Sequence, residues 1–262
     1  MSLHRFFATG PLPEHATADS LLPLDARDVH HLVHVLRIRA TEWIVLAGTD
    51  GREAQVELTH VATDQVRGDI DEPRVRQAGP RVTLMQALTK RERMELVIQK
   101  TTELGVTEII PVVTARVIVK LDEGRAGRRT ERWQRIAQEA AKQSQRATVP
   151  QVREPVALGD VPALFERFDA VLVPWEEEAG SAPGIGRALH QAGVAADSGA
   201  AVAVIVGPEG GLDEAELALL TARGAVAVSL GDTILRTETA GIVALALTIY
   251  ELGGLGNRGP RA

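Results

Sequence analysis

The stretch "AAVAVIVGPEGGLDEAEL" occupies residues 200–217. From Ala200 to Val206 it holds only alanine, valine and isoleucine, with no polar alternation. An apolar run this short, stopped by Gly207-Pro208, reads as a strand buried on both faces. Asp213 followed by Glu216 then matches a helix capping box. A buried strand, a glycine-rich turn and a capped helix make the repeating unit of a parallel α/β sheet, because parallel neighbours need crossover connections.

The same alternation recurs on both sides. "RVTLMQAL" (81–88), "TEIIPVV" (107–113), "FDAVLVP" (168–174) and "AVAVSLG" (225–231) read as further strands. Between the first two, Met94, Val97, Ile98 and Leu104 recur at helical spacing, and Gly105 suits the C-terminal cap. "TERWQRIAQEAAKQSQR" (130–146) is a basic helix, and "ETAGIVALALTIYEL" (238–252) is a helix apolar nearly all round. "SAPGIGRALHQAGVAADSG" (181–199) reads as a loop with a short helix. The N-terminal part has another texture. "EWIVLAGTDGREAQVELTHVATDQVRGDI" (42–70) alternates apolar and polar residues around Asp50-Gly51, as hairpins do. The expected division is a β-rich module over 1–72, a Pro/Gly linker over 73–80 and an α/β domain over 81–262.

Composition narrows the function. The chain has 262 residues, 45% hydrophobic and 24% charged, the balance of a soluble globular protein. It has no cysteine, which excludes disulfides and thiolate-held metals and fits a reducing cytoplasm. "MSLHRFFATGPLPEH" (1–15) lacks a signal peptide's apolar core, and "GIVALALTIY" (241–250) is too short to cross a bilayer. Both point to a cytoplasmic location. The net charge of −6 argues against a general nucleic-acid binder. The charge is uneven, however: arginine and lysine crowd residues 125–146 and "TKRER" (89–93), while "WEEEAG" (175–180) is acidic. Aromatic residues are only 3%, too few for a broad stacking surface.

Several motifs fail on context. "GIGRAL" (184–189) lacks the third glycine and the preceding strand of a dinucleotide fingerprint. His30 and His34 have the spacing of a helical metal pair, without a Glu between them or an evident third ligand, so no metal is expected. There is no Gly-x-Ser-x-Gly elbow. "VGPEGG" (206–211) ends a strand where open α/β sheets hold ligands. It lacks the lysine of a P-loop, and Glu209 would repel a phosphate, so a ligand with hydroxyls or positive charge suits it better. "ILRTET" (234–239) raises a sharper question. As a helix start, Thr237 would cap and Glu238 would favour the dipole, but Arg236 is a cation where cations are disfavoured. An anionic substrate or Glu238 would explain it.

Taken with "LGDTILRTETAGIVAL" (230–245), the glycine-rich segment resembles the C-terminal signature of the RsmE family, the ribosomal RNA (uracil-N3)-methyltransferases of the SPOUT class. "RFF" (5–7), "HHLVHVLRIRATE" (30–42), "QALTKRERMELVIQKTTELGVTEIIPVVTARVIVK" (86–120) and "RWQRIAQEAAKQSQR" (132–146) follow in the family's order, so nearly the whole chain is covered. Asp232 departs from the pattern, where members more usually carry a basic or other residue.

The resemblance implies a PUA-like N-terminal β-barrel for RNA contact and a C-terminal α/β domain with a deep trefoil knot. It also implies S-adenosylmethionine as methyl donor, a homodimer, and one uridine of small-subunit (16S) ribosomal RNA as substrate. Carried onto this chain, it places the donor against Val206, Gly207, Pro208, Glu209, Gly210 and Gly211. Leu230, Gly231, Ile234, Leu235 and Arg236 complete that pocket. Arg236 and Glu238 are the expected catalytic pair. RNA contacts are expected at Arg5, His31, Arg37, Lys90, Arg91 and Arg93, and at Arg132, Arg135, Lys142 and Arg146. Two alternatives stay open: a related knotted enzyme acting on ribose 2′-OH or guanine N1, and a non-catalytic RNA-binding paralogue.

Overall fold

The structure, a computed structural model, describes residues 3–76, 79–115, 123–175 and 182–256, with side chains of α3 from 127 onward. "WEEEAG" beyond Trp175, "RVIVK" beyond Ala115, the Arg125 side chain, and Gln77-Ala78 of the expected linker lie outside these residues. The chain forms two compact units, Met1–Ala78 with Ala141–Val149, and Gly79–Ala140 with Pro150–Ala262.

The first unit contains β1 (His4–Phe7), β2 (Thr17–Leu21), α1 (Ala26–His30), β3 (Trp43–Ala47), β4 (Arg52–Val61), β5 (Val66–Ile70) and β6 (Arg74–Val75). Its sheet runs β1-β3-β4-β5-β2, with β6 on β4. The hairpin read at Asp50-Gly51 is present: β3 and β4 pair antiparallel, and Gly51 takes the φ of +76° that the turn requires. Phe6, Leu32, Ile44, Leu46, Val56 and Leu58 make its core. Among the described residues the sheet is open, with β1 and β2 at its two ends rather than hydrogen-bonded into a closed barrel. The β2–β5 ladder loses register between Thr17 and Ser20, where Asp19 sits at a left-handed φ of 42°. Such an irregularity bends the strand and ends regular pairing. After α1, residues His31–Val35 wind as a π-helical turn, with the His30 and His34 rings 4.6 Å apart and tilted by 44°.

The second unit is the α/β domain. It comprises β7 (Arg81–Ala87), α2 (Arg91–Leu104), β8 (Glu108–Val113), α3 (Glu123–Gln143, running into the first unit), β9 (Gln151–Val152) and β10 (Val156–Ala157). A 3-10 segment at Leu158–Arg167 leads to β11 (Ala170–Pro174), α4 (Ile185–Gln191), β12 (Ala201–Val206), α5 (Glu214–Thr221), β13 (Val226–Val228) and α6 (Thr237–Glu251). All its strands are parallel, in the order β10-β8-β7-β12-β11-β13, with β9 on β8. β12 is central and buried throughout, as its unbroken apolar run implies. Ala203 and Ile205 join Met85, Val171 and Leu220 in one core, on the face covered by α5 and the 3-10 segment. The other face is covered by α6, which packs on β7 and β12 and against α2 and α4.

Local sequence signals are realised in place. Gly105 caps α2 at φ +119°, with its N–H on the Thr101 and Thr102 carbonyls. Asp213 and Glu216 form the reciprocal capping box of α5. Glu216 also accepts from the Ala115 N–H at 2.8 Å, so it ties α5 to the chain after β8.

Candidate active site

The ends of β7, β12 and β11 meet the start of α6, and this junction builds a cavity of about 370 Å³. That volume lies in the small-ligand range of roughly 300–1,000 Å³. The site sits at the carboxyl ends of the strands, beside the point where β8 and β12 lie on opposite sides of β7. Open α/β sheets bind ligands at such switch points.

The glycine-rich turn forms one wall. Val206, Gly207, Pro208, Glu209 and Gly211 line the cavity, while Gly210 belongs to the same turn without lining it. The turn closes through the Gly211 N–H donating to the Pro208 carbonyl at 3.0 Å, with Gly211 at φ +70°. A Cβ on Gly207 would stand 3.0 Å from the Leu212 backbone nitrogen, so the wall is tight as well as bare. The opposite wall is Ile234, Leu235, Arg236 and Thr237. Leu230 and Gly231 line a smaller adjoining cavity of about 80 Å³, which shares Ile234, Leu235, Pro174 and Trp175 with the first. Asp232 and Thr233 line that smaller space too. Pro174 and Trp175 are not among the expected site residues. Their signal is their place at the carboxyl end of "FDAVLVP", where a parallel sheet presents ligand-facing residues.

Thr237 fixes the junction. Its hydroxyl donates to the Gly207 carbonyl at 2.5 Å and accepts from the buried Gln86 amide at 2.9 Å. The capping role read for Thr237 is therefore corrected: Arg236 is the N-cap residue, without a side-chain cap bond, and Thr237 is the first helical residue. Its hydroxyl serves long-range partners because β7 and β12 end beside the helix start.

Arg236 is exposed, lines the cavity, and has no ion pair among the described residues. Glu238 is buried and does not pair with Arg236. Its Oε1 lies 3.8 Å from the Arg93 guanidinium, and its buried Oε2 has no hydrogen-bond partner among the described residues. Arg93 also holds Glu209 at 3.2 Å, and the Lys90 N–H donates to the same Glu209 oxygen at 3.5 Å. The start of α2 thus braces both carboxylates next to the cavity. Glu238 near the first turn of α6 also suits the positive end of the helix dipole.

The other expected RNA contacts are scattered. Lys90 and Arg91 are exposed at the start of α2. Arg132 pairs bidentately with Glu95 at 2.7 and 2.9 Å, which holds the Glu95 carboxyl below its ordinary pKa, helped by Arg91. Arg135 is exposed beside Glu131. In the first unit His31 is half-buried in the π-helical turn, and Arg37 is exposed at φ 54°. Arg5 is buried and bound to Glu53 at 2.9 Å, with a further bond to Gln145. Lys142 pairs with the buried Asp28. Burial lowers the Arg146 pKa to about 10. Arg5 and Lys142 are engaged in internal pairs that an RNA phosphate would have to break.

This geometry has a counterpart among known proteins. An RNA methyltransferase domain family model matches residues 77–249, the span that contains every cavity residue named above. A Bacillus subtilis protein named ribosomal RNA small subunit methyltransferase E is 37% identical over 87% of this chain and 89% of its own length. The chain belongs to this methyltransferase family. A Mycobacterium bovis member of the same name is 36% identical over 85% of this chain and 83% of its own. Among solved structures, a Neisseria gonorrhoeae ribosomal RNA small subunit methyltransferase E bound to S-adenosylmethionine superposes with a TM-score of 0.78 at 31% identity, covering 94% of this chain and 96% of that one. A Legionella pneumophila protein in complex with the same cofactor gives 0.79 at 30% identity, covering 95% and 97%. Members of this family thus share both units with the chain described here. Among the described residues, no helix is long and apolar enough to cross a membrane.

Proposed function

We propose that the protein transfers a methyl group from S-adenosylmethionine to N3 of one uridine in small-subunit ribosomal RNA. The observation that carries this reading is the junction of the glycine-rich turn with the start of α6: a ligand cavity whose lining arginine has no ion pair, and whose neighbouring carboxylate has one oxygen without a partner, among the described residues. The cavity's chemistry fits the cofactor. Its bare glycine wall admits a flat base and a ribose, it lacks the lysine of a phosphate cradle, and the one threonine that lines it spends its hydroxyl on the Gly207 carbonyl and Gln86. Glu209, fixed by Arg93 and the Lys90 N–H, gives hydroxyls an acceptor and a sulfonium an opposite charge.

When bound, the cofactor supplies an electrophilic methyl group for in-line displacement. The chain supplies position and charge. Thr237 and Gln86 hold the turn and the helix start at a fixed separation, so the reacting groups meet in one geometry. Uracil N3 carries a proton and becomes a nucleophile as that proton leaves. Arg236, exposed and without an ion pair among the described residues, stabilises the negative charge that develops on the uracil oxygens. Glu238 Oε2, buried beside the cavity and without a hydrogen-bond partner among the described residues, accepts that proton, and Arg93 lies 3.8 Å from its other oxygen. Arg236 and Glu238 thus act in parallel on the substrate rather than on each other.

The first unit provides RNA contacts through exposed residues such as Arg37, as a PUA-like module would. Leu96 of α2 and Leu247 and Tyr250 of α6 are 41%, 42% and 47% exposed, an apolar surface suited to a homodimer contact. A single-turnover assay of Arg236→Ala and Glu238→Gln tests the assignment: both are expected to bind the cofactor and to methylate slowly. Wild-type rates in folded variants would place the chemistry elsewhere.

A further inference from the structure

The opening residues of α2 face two cavities. Arg93 reaches Glu209 and Glu238 at the site already described. Arg91 and Glu95, one helical turn apart, line a second cavity of about 360 Å³ together with Arg128, Arg129, Arg132 and Trp133 of α3. Leu88 and Thr89, just after β7, complete it. Among the described residues, four arginines therefore line this cavity with one carboxylate.

That carboxylate is already taken. Glu95 receives both a bidentate interaction from Arg132 and a bond from Arg91 at 3.2 Å. Arg128 and Arg129 have no ion pair among the described residues, although they are adjacent in sequence and line the same concavity. An ordinary charged helix face projects into water. Here Arg128, exposed, and Arg129, half-buried, line a concavity together with the largely buried Leu88 and Trp133. Adjacent like charges beside an apolar wall suit an anion that carries a flat apolar group. The planar arginine fork fits phosphate oxygens, and guanidinium and indole both suit the face of a nucleobase. A volume of this size holds more than a lone ion.

We infer that the second cavity seats one nucleotide of the RNA strand beside the target uridine, its phosphate on Arg128 and Arg129 and its base along Leu88 and Trp133. This rests on the RNA-methyltransferase reading and adds a subsite to it. The first turns of α2 line both cavities, Arg93 the first and Arg91 and Glu95 the second, so neighbouring nucleotides of a single strand can occupy both. Arg91 and Arg132, locked onto Glu95, shape the subsite, and Arg128 and Arg129 supply the charge.

The test uses the full-length protein and small ribosomal subunits from cells lacking the modification. Arg128→Ala/Arg129→Ala is expected to raise the KM for the subunits about tenfold or more, with a smaller fall in turnover at saturation. Cofactor affinity, measured by titration calorimetry, should be unchanged. The slope of log affinity against log salt should shrink by roughly 0.7 for each phosphate that the variant no longer neutralises. Arg128→Lys/Arg129→Lys should recover most of the salt slope, since charge is restored. A folded alanine variant with wild-type KM and salt slope overturns the subsite while leaving the methyltransferase reading intact. If the wild-type protein methylates no subunit at all, the parent reading fails, and the subsite with it.

Discussion

The Thr237 hydroxyl donates a 2.5 Å hydrogen bond to the Gly207 carbonyl, joining the first residue of α6 to the residue just past β12. The same oxygen accepts from Gln86 at the end of β7, so a single side chain sets the spacing of three elements around the cavity. Thr237→Val keeps the shape and removes both bonds, leaving the buried Gln86 amide only its long 3.4 Å bond to the Ala87 carbonyl. It should cost about 1–3 kcal/mol of stability and weaken cofactor binding; Thr237→Ser should retain most of both. Denaturant titration and calorimetry on the pair of variants check this.

Gly241 lies on the buried face of α6, and a Cβ there would stand 2.5 Å from the Gln86 side-chain oxygen. Gly241→Ala should therefore displace Gln86 and disturb Thr237 indirectly, destabilising by about 1–3 kcal/mol as overpacking does despite alanine's better helix propensity. In a Gln86→Ala background the same substitution should cost clearly less, because the clash is gone. A double-mutant cycle measures that coupling. Additive losses would show that the two residues act separately.

Arg236→Ala should lower the rate of methyl transfer by roughly 10²–10³, the usual effect of removing a group that stabilises developing charge. Cofactor affinity should change little by comparison. Arg93→Ala should act differently, since Arg93 holds both Glu209 and Glu238. Its expected signature is weaker cofactor binding together with slower transfer. Calorimetry combined with single-turnover kinetics separates the two patterns.

The Arg132 guanidinium, with Arg91, holds the Glu95 carboxyl below its ordinary pKa. Because the folded-state pKa is lowered, the stabilisation is present above the unfolded carboxylate range near about 4.3. It is lost as pH falls through the lower folded value. Glu95→Gln should therefore lower stability at neutral pH, where the pairing is present, flatten the acid limb of the profile, and converge with the wild type at low pH. Equal acid sensitivity in both proteins, measured by thermal melts across pH, would contradict the pairing.

The features legible in the sequence are local ones. The Asp213–Glu216 capping box, the Gly105 cap and the Asp50-Gly51 hairpin each depend on a few consecutive residues, and each is present. The parallel sheet is readable because β12 carries an unbroken apolar run between turn signals. Thr237 reads as a cap because capping is the local role of threonine before a helix; its actual bonds go to Gly207 and Gln86, which only the fold brings near. Arg93 is visible as one cation in "TKRER", with no sign of the two carboxylates it reaches. The sheet of the first unit is open among the described residues, with its β2–β5 register broken around Asp19, and alternation alone carries no information about closure. Nor does the spacing of His30 and His34 announce a π-helical turn.

Methylation at N3 of one uridine can be read from the product itself. Small ribosomal subunits from cells lacking the modification are incubated with the full-length protein and S-adenosylmethionine, and their RNA is then digested and mapped by mass spectrometry. The expected product carries one added methyl group, on the base of a single uridine at N3, absent when Arg236→Ala is used at short times. A methyl group on a ribose or a guanine, or no added methyl group with cofactor bound, would contradict uridine N3 methylation.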